Sequence, residues 1–143
     1  MITLALSMLA VPQYNVQQTE LINALIMVES NGKDDAIGDN GKAIGCLQIW
    51  KPYWMDACER SNIGGKYLDC YKRAYSIMVF DAYMRRYARS AWTNPLEFDA
   101  EKVARIHNGG PKGYKKTATL KYWKKVQILL DKPPSAMVYY THE

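Results

Sequence analysis

Apolar residues recur at three- and four-residue intervals in several stretches of this chain, and each such stretch predicts a helix. Leu21, Ile22, Leu25, Ile26 and Val28 put their side chains on one helical face. Glu29 continues that face, so an ionisable carboxyl takes the last place of a stripe that otherwise points into a core. Ser30-Asn31-Gly32 offers the C-terminal cap. Lys51 to Arg60 reads as a short helix with Pro52 near its first turn, followed by a loop at Asn62-Ile63-Gly64-Gly65. Asp69 is placed to cap the next helix, expected to run to about Ser90 as the longest in the chain, with Ile77, Phe80 or Asp81, Met84 and Tyr87 at helical spacing. Asn94-Pro95 breaks the chain, and Asp99 caps a helix through Val103, Ala104 and Ile106. Thr117 or Thr119 starts the last helix, with Leu120, Trp123, Val126 or Gln127, and Leu130 on one face until Lys132-Pro133-Pro134 stops it.

One stretch carries a turn signal between matched apolar residues. Residues 36 to 45 read A-I-G-D-N-G-K-A-I-G, two Ala-Ile-Gly triplets around Asp39-Asn40-Gly41-Lys42. Asn-Gly between matched apolar residues predicts a β-hairpin, because a type I′ turn needs positive φ at both central residues. The expected fold class is therefore mainly α with a minor β part (α+β): five or six helices and one small hairpin beside the end of the first helix.

This arrangement brings carboxyls to one place. A carboxyl held against apolar packing loses hydration in its charged form, which favours the protonated acid that general acid catalysis needs. The alternative is an ordinary solvated Glu at a helix end. Asp39 is expected on the first strand of the hairpin or at the edge of its turn, with Asp34 and Asp35 in the loop before it. One raised carboxyl and one solvated carboxylate facing a groove is the pairing that glycoside hydrolysis uses. Of the aromatic and polar residues nearby, Tyr53 and Trp54 are either core or sugar-stacking groups. Gln48 is either a structural amide tying hairpin to helix or a substrate contact. His107-Asn108-Gly109-Gly110-Pro111 is a run of turn formers whose glycines permit close approach.

Glu29-Ser30, Gly38, Gly41 and Gly45-Cys46-Leu47-Gln48-Ile49 resemble the E-S…G…G-x-x-x-G-L-x-Q-I signature of lytic transglycosylases and goose-type lysozymes. Gln48-Ile49 through Pro52-Tyr53-Trp54-Met55-Asp56, then Ala82-Tyr83-Met84-x-Arg86-Tyr87, then Ala104-Arg105-Ile106-His107-Asn108-Gly109-Gly110-Pro111 are similar to invertebrate-type (destabilase-like) lysozymes, in the same order over roughly residues 20 to 128. The resemblance implies a lysozyme-like domain that cleaves the β-1,4 bond between N-acetylmuramic acid and N-acetylglucosamine in peptidoglycan. Glu29 would be the general acid and Asp39 the nucleophile or electrostatic stabiliser, with Asp34 and Asp35 as competitors for that second role. If none of the aspartates reaches the cleft, Glu29 would act alone as in lytic transglycosylases and the product would be a 1,6-anhydro sugar. Gln48, Tyr53, His107, Asn108 and Gly109 are the expected substrate-side residues. An alternative of another class is a domain that binds glycan or cell wall without cutting it. No cofactor and no metal is expected, since two histidines and three scattered thiols show no ligand spacing.

Composition adjusts this picture at few points. A chain of 143 residues, 48% hydrophobic and 23% charged, suits one globular domain with no repeat. The expected division is an N-terminal segment 1–16, a catalytic domain 17–132 and a tail 133–143. The net charge of +5 is concentrated between Lys112 and Lys132, where seven lysines meet one acid, Asp131. Such a patch favours an anionic bacterial surface or is simply a solvated helix face, and no zinc spacing or RNA-binding aromatic motif points to nucleic acid. The apolar residues 2–11 are too short to span a bilayer, so no transmembrane segment is expected. They are either an atypical export signal or an ordinary segment packing on the domain. A monomer acting outside the cell or in its envelope is expected. Three cysteines are fewer than invertebrate-type lysozymes usually carry, and the resemblance implies one possible disulfide, Cys58 to Cys70, leaving Cys46 buried and unpaired.

Overall fold

The computed structural model describes residues 13–132. The expectations for an export signal and for a loose tail after residue 132 therefore lie outside the described residues. Six α-helices are present among them: α1 Val16–Ser30, α2 Lys51–Glu59, α3 Arg73–Tyr87, α4 Arg89–Thr93, α5 Ala100–Gly109 and α6 Leu120–Leu130. Beside them stands one antiparallel sheet of three two-residue strands, β1 Ile37–Gly38, β2 Ala43–Ile44 and β3 Ile49–Trp50.

The helix that carries Glu29 is fixed at both ends and along its length. Asn15 accepts from the backbone N–H of Gln18, and the Gln18 side chain accepts from the N–H of Asn15, a reciprocal capping box. Gln18 then reaches across the core to donate to the Trp92 carbonyl at 2.8 Å. At the other end Asn31, in the left-handed region at φ 54°, turns its N–H back to the carbonyls of Ile26 and Met27. Between the caps Leu21, Ile22, Leu25 and Ile26 are buried, as the stripe requires. Each contributes about 1.5–3 kcal/mol of burial. α6 packs along α1 and α5, α2 packs on α3, and Phe80, Met84, Trp92, Val103, Ile106 and Val126 complete a single core.

The hairpin forms at the expected residues and grows by one strand. Ile37 pairs with Ile44 and Gly38 with Ala43, while Asn40 at φ 56° and Gly41 at φ 86° make the turn that Lys42 N–H closes onto the Asp39 carbonyl. The chain then folds back so that Ala43 pairs with Trp50 and Ile44 with Ile49. The element is a small sheet rather than a lone hairpin, and its third strand leads straight into α2.

The helix expected to run from Asp69 to about Ser90 is divided. Asp69 sits in a 3₁₀ turn, Tyr67–Tyr71, where its carboxylate accepts from the Lys66 N–H and from Lys72 Nζ; α3 begins later without a side-chain cap. α3 ends at Tyr87, and with 15 residues it equals α1 in length instead of exceeding it. The cause of the break at Ala88 is the buried bond from Trp92 Nε1 to Asp81 Oδ1 at 2.9 Å. In a straight helix residues eleven apart lie roughly 16 Å apart along the axis, so that bond requires the chain to turn. α6 starts where expected, with Thr119 at its N-cap position, although the Thr119 hydroxyl donates to the Gly113 carbonyl and gives the helix no side-chain cap. Arg86 is mostly covered and bridges the Asp56 carbonyl and Glu59.

Candidate active site

The end of α1, the sheet and the end of α5 enclose a cavity of about 350 Å³ lined by Glu29, Asp39, Gln48, Trp50, Tyr53, His107, Asn108 and Gly110. Its polar groups converge from segments distant in sequence. The packing beneath each of them accounts for the convergence.

Glu29 is largely covered, with 18% of its side chain exposed. Its Oε1 accepts a hydrogen bond from the Tyr122 hydroxyl of α6 at 2.8 Å, and His107 Nε2 lies 3.3 Å from the same oxygen. Among the described residues no protein donor reaches Oε2. His107, on the last turn of α5, is held on both sides of its ring. Nε2 faces the Leu47 carbonyl at 3.2 Å and must donate there, so Nδ1 is assigned as acceptor for the Tyr53 hydroxyl at 3.0 Å. The Tyr53 ring stacks on Tyr83 at 3.7 Å between centroids, 10° from parallel. Burial pushes the phenols of Tyr53 and Tyr122 well above their ordinary range, with the nearby Glu29 adding to both, so each remains a protonated donor.

Asp39 is exposed on the far side, the first residue after β1, at φ 49°. Trp50 Nε1 donates to its Oδ2 at 3.0 Å, and Lys42 Nζ sits 5.6 Å from the centre of the Trp50 ring. The two other aspartates are elsewhere. Asp34 is paired with Arg73 at 2.8 Å, and Asp35 is exposed; neither lines the cavity. Gln48 lies at φ 50°, and its amide nitrogen donates to the Gly45 and Ala36 carbonyls, cross-tying the sheet while the residue lines the cavity. A side chain at Gly38 would collide with Gln48 Oε1, which is why that strand position is glycine.

Several sequence expectations are sorted by this geometry. Glu29, Asp39, Gln48, Tyr53, His107 and Asn108 come together around one cavity. Gly109 does not: its carbonyl accepts from Lys116 Nζ, and Gly110, at φ 84°, takes the lining position. Trp54 turns away and donates to the Tyr75 hydroxyl. Trp50 and Tyr122 were not anticipated. For Trp50 a signal existed, since it follows Gln48 by two and alternates with the buried Ile49. For Tyr122 no local signal existed, because its partner is 93 residues away.

The implied Cys58–Cys70 bridge is absent. Cys46, Cys58 and Cys70 are all free thiols, Cys70 fully buried in the core as a small apolar residue and Cys58 half-buried on α2. Burial pushes the Cys46 thiol up to about 11 and that of Cys70 up to about 12. No group of three or more His, Cys, Asp or Glu side chains among the described residues is placed to hold a metal ion, and none of their helices is long and apolar enough to cross a membrane.

Known proteins similar to this chain in sequence and fold include several lysozymes. Lysozyme 1 of Crassostrea virginica is 39% identical over 90 residues, a match covering 62% of this chain and 45% of that protein. A lysozyme of Meretrix lusoria is 40% identical over 84 residues, covering 58% of this chain and 64% of its own length. The chain thus spans less than two thirds of either relative. Among solved structures, the Tapes japonica lysozyme superposes with a TM-score of 0.62 at 30% identity, over 83% of this chain and 93% of that one. The Meretrix lusoria lysozyme in complex with Aeromonas hydrophila PliI superposes with a TM-score of 0.61 at 30% identity, over 76% and 87%. Residues 18–128 match the Destabilase family profile. That match takes in both Glu29 and the His107 loop, and the chain belongs to the Destabilase family.

Proposed function

We propose that this protein is a lysozyme that hydrolyses the β-1,4 bond between N-acetylmuramic acid and N-acetylglucosamine in peptidoglycan. The observation that carries the reading is a covered carboxyl, Glu29, and an exposed one, Asp39, lining the same cavity with one oxygen of each already bonded to protein. The lysozymes among its relatives support the substrate class.

In this mechanism Glu29 gives its proton to the glycosidic oxygen as the C1–O bond breaks and the sugar ring takes on oxocarbenium character. Asp39 either attacks C1 to form a glycosyl-enzyme or stabilises the positive charge, and Glu29, now a carboxylate, draws the proton from the incoming water. Trp50 fixes the rotamer of Asp39 through Oδ2 and leaves Oδ1 for the sugar. Its exposed ring offers a flat apolar face of the kind pyranose rings pack on. Asn108 supplies amide donors and acceptors for the N-acetyl groups. The protein acts outside the cell or in its envelope, and the exposed Lys112, Lys115, Lys121, Lys124 and Lys125 hold it to anionic wall polymers.

Glu29→Gln keeps the shape of the side chain and removes the transferable proton. The variant should fold with an unchanged melting temperature, still sediment with peptidoglycan, and clear it at least ~100-fold more slowly, the size of a general-acid contribution. Wild-type turbidity clearance by Glu29→Gln would remove Glu29 from the chemistry and with it this reading.

A further inference from the structure

The two oxygens of Glu29 are not equivalent. Oε1 accepts from Tyr122 and lies beside the His107 Nε2 hydrogen, while Oε2 has no protein donor among the described residues. A proton on Oε1 would confront the Tyr122 donor. A proton on Oε2 leaves Oε1 as the carbonyl oxygen, which is the better acceptor for that phenol. The phenol can only donate here, since burial and the adjacent Glu29 hold its own proton firmly. Tyr122 also gives Glu29 the one side-chain hydrogen bond it receives among the described residues, from a helix that packs directly along α1.

We propose that Tyr122 is a positioning residue that holds Oε1 as an acceptor and so places the transferable proton of Glu29 on Oε2, the oxygen left for the substrate in the cavity. The inference rests on Glu29 being the general acid. In the reaction the Oε2 proton moves to the glycosidic oxygen, the electron pair of the broken C1–O bond stays with that leaving oxygen, and Tyr122 keeps its proton throughout. As Glu29 becomes a carboxylate, the Tyr122 bond becomes charge-assisted and strengthens, so the phenol stabilises the transition state more than the resting acid. His107, its Nε2–H committed to the Leu47 carbonyl and its Nδ1 to Tyr53, sets the edge of its ring 3.3 Å from the same oxygen.

The test compares Tyr122→Phe, Glu29→Gln and Val126→Ala in the full chain, with rates normalised to folded protein below every melting transition. Val126 is buried on the same helix without touching the cavity, so it reports what loosening α6 does by itself. For Tyr122→Phe the expected result is a kcat on soluble peptidoglycan fragments lowered roughly tenfold or more, with KM nearly unchanged. The alkaline limb of its pH–rate profile should move to higher pH, because a carboxylate loses more than an acid does when a donor is removed. Val126→Ala should melt earlier and leave that limb in place. A Tyr122→Phe enzyme with wild-type kcat and limb, beside an inactive Glu29→Gln, overturns the positioning role and leaves the general acid standing. A limb that moves equally in Val126→Ala also overturns it, because helix docking would then be the cause. An active Glu29→Gln is a different failure, that of the underlying reading.

Discussion

Glu29 and Asp39 differ in how their surroundings treat them, and the difference comes from single residues. Glu29 ends an apolar stripe whose members Leu25 and Ile26 are buried, so it is drawn under the edge of α5 and α6. Asp39 begins a turn of three consecutive positive φ values, 49°, 56° and 86°, which projects it into solvent beside Trp50. The glycine at position 45 sets the next corner. Its φ is 78°, and a Cβ there would collide with the Cys70 carbonyl. Gly45→Ala should therefore lower stability by about 2 kcal/mol or more, read as a shift of the urea midpoint, through strain and backbone displacement together. Unchanged stability would mean that the corner is not held against the Tyr67–Tyr71 turn. At this scale the sequence was informative where the cause was local: the stripe marks Glu29, and Asn40-Gly41 marks the turn next to Asp39. Gln48 was ambiguous because one amide serves backbone and cavity at once. Tyr122 was invisible because its meeting with Glu29 depends on how two helices dock.

The elements follow the same division. α2 and α5 begin and end close to their expected limits, and α1 ends at its expected cap, because caps, Pro52 and glycines act within a turn. The boundary of α3 was misplaced because no proline or glycine marks Ala88. The break is imposed by Trp92 reaching back to Asp81, a tertiary bond that outweighs helix propensity. The third strand was missed for a related reason: Ile49-Trp50 is too short to show period two and pairs only because β2 is already in place. α1 is the element on which the site depends most. Leu25→Ala, at a fully buried position, should cost 2–5 kcal/mol by chemical denaturation, at the scale of a Leu-sized core cavity. Loss of activity in that variant should track loss of folded protein, since Leu25 is not part of the cavity lining. A Leu25→Ala protein as stable as the wild type would place the core elsewhere.

At the scale of the molecule, stability rests on one shared core with no disulfide among the described cysteines. That has a consequence for pH. Cys46 and Cys70 have folded values of about 11 and about 12 against 9.0 for a free thiol, so their contribution is fully present below pH 9. As pH rises from about 9 the unfolded chain loses protons that the folded chain retains, and stability falls until the folded thiols ionise as well. The buried Tyr83 and the half-buried Tyr14, also shifted upward by burial, extend the decline. Urea midpoints should therefore drop steadily above pH 9, and a Cys46→Ser/Cys70→Ser protein, where it folds, should show a shallower drop. A flat profile to pH 11 would contradict the burial of these thiols.

Hydrolysis of a muramic acid linkage by the two carboxyls of this cavity leaves a chemical mark on its products, which mass spectrometry of muropeptides released from purified peptidoglycan reads. The expected products carry reducing N-acetylmuramic acid ends, formed by the wild type and lost in Glu29→Gln. Products lighter by one water, the 1,6-anhydro form, would contradict the role of Asp39 and of the attacking water. Folded protein that releases no muropeptide at any pH or salt concentration would contradict this hydrolysis altogether.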